Sequence, residues 1–307
     1  MTDVPLTFTG LLMLAALAAA LAGLWLDPRI ITGAPAWLKP AKFAASTAIY
    51  TLTLAWIFTY LHDWTRTRRI VGRTTAAILV GEVGLIYVQA WRGTTSHFNV
   101  GTALDAVVFA VMGIGILIQM LASVAVAVAL WRQRFDDVAI GWALRLGLTI
   151  SIIGASTGGL MTRPTAAQLA EARATHHMSV AGAHTVGAAD GGPGLPGTGW
   201  SRDHGDLRVP HFFGLHAMQA LPLIALLAGR RRASDARRVR LTLVAAASYA
   251  ALFVVLLVQA LQGESVIAPS VPSLVMFGVL ALGTALATWL ATAPRAAAAR
   301  ASAIVLG

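Results

Sequence analysis

The sequence predicts an all-α membrane protein, a polytopic helical bundle of about eight transmembrane helices with one long structured extracytoplasmic loop. Of its 307 residues, 57% are hydrophobic and only 12% are charged, whereas soluble globular domains carry roughly 25% charged residues. Apolar runs of about 20 residues, the length that crosses a bilayer, recur along the chain. These runs are continuously apolar rather than alternating, which disfavours a β-barrel.

The apolar runs predict one integral membrane domain over residues 1–307. Its expected spans are 6–26, 42–61, 74–92, 105–130, 138–160, 211–229, 241–262 and 271–293, and its long loop is 161–210. The first run has no basic segment before it, so we expect a retained helix rather than a cleaved signal peptide. Gly154 and Gly158 in the fifth span predict a close helix contact.

Basic residues predict the orientation, because Lys and Arg accumulate in cytoplasmic loops. The loops after the second, fourth, sixth and eighth spans hold Arg66, Arg68, Arg69, Arg73, Arg132, Arg134, Arg230, Arg231, Arg232, Arg237, Arg238, Arg240, Arg295 and Arg300. The opposite side has Arg29, Lys39, Lys42, Arg92, Arg163, Arg173, Arg202 and Arg208. We therefore expect a multi-pass cell-membrane protein with both termini cytoplasmic and 161–210 outside. Topology explains the net charge of +10 better than a nucleic-acid partner, so the expected partners are membrane lipid and a small amphiphilic substrate, with a homo-oligomer left open.

Histidines concentrate on the predicted outer side, which holds seven of the eight: His97, His176, His177, His184, His204, His211 and His216. Imidazole is the commonest metal ligand and titrates near neutrality. The clustering indicates an iron, copper or zinc site, a haem site or a proton-handling site. The alternative is that a wet loop simply tolerates histidines, above all at His176, His177 and His204.

The sharpest metal-ligand candidates are His97, His211 and His216. Pro210 suits the first turn of a helix, which places His211 at its mouth. His216 is five residues on, about 140° around the helix, so a straight helix does not present both rings to one ion. We expect one of the two to be a ligand beside His97, and the other to line the pocket.

The surrounding polar residues supply candidate catalytic and binding groups. The Gly- and Pro-rich part of the loop, 183–210, is expected to fold over the helix ends as a lid. The candidate catalytic residues are His184, Asp190 and Asp206, and the candidate cofactor- or substrate-binding residues are Lys39, Lys42, Asn99, Asp105, Arg208 and Gln219. Simpler roles remain open for several of them: interfacial snorkelling for the two lysines, a helix cap for Asp105 and a helix–helix hydrogen bond for Gln219.

Two ionisable residues lie inside predicted spans, Glu82 in the third and Arg145 in the fifth. Charges in a bilayer are costly, and both are roughly 11–12 Å from the same membrane face at 1.5 Å per residue. A mutual ion pair is therefore predicted, as a structural clamp or a proton relay. Gln119 and Gln259 would extend a polar path from it.

The first functional hypothesis is a metal- or haem-dependent membrane oxidoreductase acting on an amphiphilic substrate at the outer face. A metal-dependent hydrolase using a metal-bound water is a variant of it. The second is a proton-coupled transporter or channel using Glu82 and Arg145, and the third is a structural subunit of a larger complex. The chain has no cysteine, which excludes disulfides, thiolate nucleophiles and iron–sulfur clusters.

Overall fold

The computed structural model describes residues 3–229 and 234–293 and confirms the predicted helical membrane bundle. The helices are α1 Val4–Leu26, α2 Leu38–Ile57, α3 Thr65–Trp91, α4 Ala103–Arg132, α5 Val138–Ser156, α6 Gly158–Met161, α7 Ala166–Thr175, α8 Arg208–Leu215, α9 Ala217–Gly229, α10 Asp235–Leu261 and α11 Val271–Thr292, with one 3-10 turn at Phe58–Tyr60. Two antiparallel pairs of short strands accompany them, β1 Ile30–Ile31 with β2 Ala34–Pro35, and β3 Thr185–Val186 with β4 Gly205–Asp206. Within the described ranges, seven helices are long and apolar enough to cross a membrane, and the bent pair α8–α9 makes an eighth if it counts as one span.

Local sequence signals explain where several helices begin. The side chain of Thr102 accepts a hydrogen bond from the backbone N–H of Asp105 at 3.1 Å, and Asp137 does the same for Ile140 at 3.1 Å. Each satisfies one of the N–H groups that the first turn of a helix leaves free. Helix α3 begins nine residues before the predicted span, since its first turns are basic and were assigned to a loop.

The central core is formed where α2, α5 and α9 meet. Leu54 and Phe58 pack in one buried cluster with Leu144, Leu148 and Leu221, and each is at most 1% exposed. Burying side chains of this size stabilises the fold by about 1.5–3 kcal/mol each in water. In a bilayer the close fit between helices matters more than removal from water.

The predicted small-residue face of α5 forms a close helix contact. A Cβ atom added at Gly154 would lie 2.6 Å from the backbone of Gly214 in α8. A Cβ atom at Gly158 would lie 3.3 Å from the ring of His211. The two backbones therefore approach more closely than any side chain at Gly154 would permit.

The sixth predicted span is bent by 45° rather than straight, with the break at His216. Ser151 of α5 explains how the break is tolerated. Its hydroxyl donates to the carbonyl of Leu215 at 2.8 Å and accepts from the N–H of Met218 at 3.0 Å. A hydroxyl from the neighbouring helix thus satisfies the backbone groups that the break releases.

The long loop is ordered and folds onto one end of the bundle, as predicted. Leu207 is 4% exposed in a small core with Phe98 and Met161. Lys42 of α2 donates to the carbonyl of Thr198 at 2.7 Å, which ties the lid to the start of that helix. Trp200 is partly buried.

The predicted ion pair between Glu82 and Arg145 is not formed. Arg145 instead donates to two carbonyls at the end of α4, that of Leu130 at 3.0 Å and that of Gln133 at 2.7 Å. Its guanidinium also lies 5.1–5.9 Å from three ring centroids, those of Trp131, Phe135 and Trp142. The prediction was wrong because the unsatisfied carbonyls and negative dipole end of a helix terminus attract a cation without any acidic residue.

Candidate functional site

Three histidines from distant parts of the sequence converge with one lysine at the bundle end that the long loop covers. We call His97, His184, His211 and Lys39 the histidine cluster. Burial lowers the pKa of His97 well below its usual value of 6.5. The positive charge of Lys39 lowers that pKa further, and His184 and His211 would do the same when protonated. The sequence predicted His97 as a ligand of one site together with either His211 or His216, and His211 is among the groups close enough to His97 to affect its pKa.

His97 lies in the connection between α3 and α4, which is held against the long loop. The carbonyl of Phe98 accepts from Ala181 at 2.8 Å, and Val100 donates to the carbonyl of Ser179 at 3.0 Å. Phe98 has φ of 64°, a left-handed conformation that costs a non-glycine residue about 1–2 kcal/mol. Such strain persists only where the surroundings enforce it, and it is common at functional sites.

His184 stands at the start of β3 and is fixed by Asp190. Asp190 accepts from the backbone N–H groups of His184 and Thr185 at 3.0 and 2.9 Å, and from the His184 ring at Nδ1 over 2.6 Å. Burial opposes its ionisation, but these bonds hold the pKa of the Asp190 carboxyl well below its usual range. An ionised carboxylate only accepts, so Nδ1 of His184 carries the proton. Burial lowers the pKa of His184 although Asp190 opposes that shift, so burial favours the neutral ring, in which Nε2 carries a lone pair.

His211 is positioned by the close contact between α5 and α8. Its Nδ1 lies 3.0 Å from the carbonyl oxygen of Gly154 and 3.3 Å from the hydroxyl of Thr157. A carbonyl only accepts, so Nδ1 of His211 also carries a proton. The glycine pair at 154 and 214 is what lets the ring reach this carbonyl.

In each of the three histidines, Nδ1 is engaged and Nε2 has no hydrogen bond to any described residue. The third ring, that of His97, has Nδ1 3.0 Å from the hydroxyl of Ser96, which either donates or accepts. Anchoring one ring nitrogen on a carboxylate, carbonyl or hydroxyl while the other stays free is the usual environment of a metal-ligating histidine.

Two phenylalanine rings, those of Phe43 and Phe98, pack against the histidine cluster. The Phe43 centroid is 5.6 Å from that of His97, and the Phe98 centroid is 4.8 Å from that of His184. The Lys39 ammonium lies 5.9 Å from the centroid of Phe43. Sequence reasoning missed both phenylalanines, although Phe98 directly follows His97.

The cluster lysine differs from the two other nearby cations. Lys42 donates to Thr198, and Arg208 is paired with Asp206 at 2.6 Å and donates to Gly199. Lys39 is partly buried and forms no hydrogen bond or ion pair with any residue that the structure describes.

Two predicted catalytic or binding residues hold the lid. Asp206 accepts from the backbone N–H of Ser201 at 2.8 Å in addition to its pair with Arg208. Through Arg208, which donates to the carbonyl of Gly199 at 2.6 Å, this pair fixes the segment that also binds Lys42. The observed contacts of Asp206 and Arg208 are therefore with the loop.

Asp105 and Asn99 stabilise the connection that carries His97. Asp105 forms an ion pair with Arg92 at 2.7 Å, accepts from Gln89 at 2.9 Å and is itself the capped first-turn residue of α4. Asn99 donates to the hydroxyl of Thr94 at 2.8 Å. The N-cap of α4 is Thr102 rather than Asp105, and the Asp105 carboxylate lies in the first turn, where it accepts from the Thr102 hydroxyl at 2.7 Å.

His216 and Gln219 lie at the α8–α9 break and one turn beyond it. The backbone N–H of His216 binds the carbonyls of Phe212 and Phe213, whereas its ring has no hydrogen bond within the described chain. Gln219 donates to the hydroxyl of Thr53 on α2 at 3.3 Å, the helix–helix bond that its simpler role predicts. Of the two alternatives for α8, His211 is the histidine that joins the cluster.

Among residues 3–229 and 234–293, no three His, Asp or Glu side chains are assembled closely enough to hold a metal ion. No known protein family matches this chain, and no curated protein or solved structure resembles it significantly. The geometry of the histidine cluster is therefore the basis for any functional inference.

Proposed function

We propose that this membrane protein is a metalloenzyme in which His97, His184 and His211 bind one transition-metal ion through Nε2. The observation that carries the proposal is the anchoring of Nδ1 in His184 and His211. Each donates to an obligate acceptor, the carboxylate of Asp190 and the carbonyl of Gly154. This fixes the tautomer that leaves a lone pair on Nε2.

The protonation state of the cluster supports the same proposal. A metal ion binds neutral imidazole, and burial keeps the pKa of His97 and of His184 below the usual value. Burial therefore favours the neutral form of both rings, which is the form that binds a metal ion. Because no group of three is preassembled in the described part of the chain, binding would require the three rings to approach one another while the Nδ1 contacts of His184 and His211 are kept.

The chemistry of the proposed centre follows from its ligands. Imidazole suits iron, copper and zinc, and the chain has no thiolate to offer. With iron or copper the centre would carry out oxidation–reduction, which is the reaction we propose, and a haem iron would do so while held by at most two of the three histidines. With zinc it would activate a water molecule for hydrolysis.

The substrate we propose is amphiphilic with an anionic group. Lys39 provides an unpaired ammonium beside the cluster, while Phe43 and Phe98 provide an apolar surface. The site lies where α2 begins, at the end of a membrane-spanning helix, which a lipid-soluble molecule would reach from the bilayer. The distribution of basic residues supports placing this end outside the cell, with both termini in the cytoplasm.

Metal analysis and a visible spectrum of the detergent-purified protein test the proposal. We expect about one equivalent of iron, copper or zinc, and its loss in His97→Ala, His184→Ala and His211→Ala. The matched control is His204→Ala, an exposed histidine of the same loop. His216→Ala is expected to keep the metal, which separates the two histidines of α8–α9.

Each outcome decides part of the proposal. Iron or copper, or a Soret band from haem, supports the redox reaction, whereas zinc alone would replace it with hydrolysis. A colourless, metal-free protein that takes up no added metal would contradict the metal site. Equal metal content in all five proteins would remove the histidine cluster from consideration.

A further inference from the structure

Glu82 lies in the middle of α3 with its carboxyl group directed into α4. The side chain is buried, and the residue is 7% exposed. Its Oε1 would lie 2.9 Å from a Cβ atom at Gly115, so the carboxyl occupies the notch that this glycine leaves open. It forms no hydrogen bond or ion pair with any residue that the structure describes.

The helices around Glu82 bring no cation to it. Helix α3 packs against α1, α2 and α4, whose Lys, Arg, Asp and Glu residues all lie in their terminal turns: Lys39, Lys42, Asp105 and Arg132. The titratable group in the middle of these three helices is the phenol of Tyr50 on α2. Arg145 is committed to the end of α4. A carboxylate here would be an unpaired charge in hydrocarbon, which is much more costly than a neutral acid.

Gln119 offers the acceptor that a neutral Glu82 needs. It is 7% exposed and follows Gly115 by one turn on α4. Its Nε2 donates to the hydroxyl of Tyr50 at 2.9 Å, but its Oε1 is buried without a partner among the described residues. Helix side chains lean towards the N-terminus, so Gln119 reaches back towards the turn of Gly115, where the carboxyl of Glu82 lies.

We propose that Glu82 and Gln119 form an intramembrane proton-binding site, in which the protonated carboxyl of Glu82 donates to Oε1 of Gln119. The arrangement joins a carboxylic O–H donor to a buried acceptor, each of which is costly when left alone. The hydrogen bond from Gln119 to Tyr50, and the 3.0 Å contact of Tyr50 with Ser123 on α4, continue the polar chain across to α2. This site is separate from the histidine cluster and does not depend on a metal.

Infrared spectroscopy of the purified protein tests the site, because only a protonated carboxyl gives the carboxylic C=O stretch. At neutral pH we expect this band in the native protein and its complete loss in Glu82→Gln, which keeps the volume of the side chain. In Gln119→Met the band should remain and move to higher frequency, since the hydrogen bond to the acceptor is gone. Asp203→Asn, at an exposed loop position, is the control that leaves the band unchanged.

Two results would overturn the proposal. Absence of the band at neutral pH in the native protein would mean that Glu82 is ionised and has a partner. A band that is lost in Glu82→Gln but stays at the same frequency in Gln119→Met would show that Gln119 is not the acceptor. Circular dichroism of Glu82→Gln and Gln119→Met verifies that the helices are intact. Glu82→Asp places a shorter acid at the same position, and its C=O band should also move to higher frequency because its hydrogen bond to Gln119 is weaker.

Discussion

Replacing Arg145 with Met tests whether this residue is held by the carbonyls at the end of α4 or by an ion pair with Glu82. The substitution removes hydrogen bonds to the carbonyls of Leu130 and Gln133, at 3.0 and 2.7 Å. Hydrogen bonds from a charged donor contribute about 1.5–3 kcal/mol each. The contacts with three aromatic rings add about 0.5–1 kcal/mol each at accessible sites. Met recovers part of the packing, so we expect a loss of about 3–5 kcal/mol in unfolding free energy.

A double-mutant cycle with Glu82→Ala measures the coupling energy between positions 82 and 145, which decides between the two interpretations. Since Arg145 and Glu82 do not touch, their effects on unfolding free energy should add within about 0.5 kcal/mol. An ion pair would instead make the double variant much more stable than the sum predicts, because each single variant leaves a buried charge unpaired.

The assay is reversible unfolding in mixed micelles, followed by tryptophan fluorescence, since Trp131 and Trp142 flank Arg145. Arg134→Met, at an exposed position in the connection between α4 and α5, is the control and should change the unfolding free energy by less than about 0.5 kcal/mol. A coupling energy above about 1 kcal/mol between positions 82 and 145 would refute the assignment of Arg145 to the α4 terminus.

Two further predictions concern the histidine cluster. Gly154→Ala places a methyl group 2.6 Å from the backbone of Gly214 and should lower the unfolding free energy by about 1–3 kcal/mol through overpacking. The control is Gly159→Ala, because a Cβ atom at that position meets nothing within 4 Å. Equal stability of the two variants would contradict the close contact. The second prediction is a pH effect: the pKa of His97 is lowered in the fold from 6.5, so protons bind the unfolded chain more readily. The stability due to its neutral ring is therefore complete above about pH 6.5 and declines as the pH falls towards the folded pKa, by up to about 1.4 kcal/mol per pH unit. Unfolding measured from pH 8 to pH 5 should show a shallower decline in His97→Gln, and parallel curves for the two proteins would contradict this prediction.

The spans were predictable because hydrocarbon requires continuous apolar helices of a fixed length, and no other part of the chain supplies them. The break at His216 was not predictable from its own segment. It depends on the hydroxyl of Ser151, 64 and 67 residues away from the groups that it binds. Tertiary hydrogen bonds of this kind leave no periodic pattern in a sequence.

The site was predictable only to the level of its residue types. The one-sided distribution of histidines singled out His97, His211 and His216, of which His97 and His211 lie at the bundle end that the long loop covers. The role of His184 beside them depends on the pairing of β3 with β4, two strands of two residues each. The choice between Lys39 and Lys42 depends on which of them reaches a lid carbonyl. Both are consequences of loop folding, for which hydropathy carries no information.

The packing of α5 against α8 and α9 fixes the position of His211 along the helix axis. Successive turns of α5 engage successive positions of the neighbouring pair in reverse order: Gly147 with Ala217, Ser151 with Leu215, Gly154 with Gly214, and Thr157 with His211. A slip of one turn would carry the imidazole about 5.4 Å along the axis. The position of the His211 ring is thereby set by the registration of two helices inside the bilayer, and a change in membrane thickness that shifts α5 would move the ring.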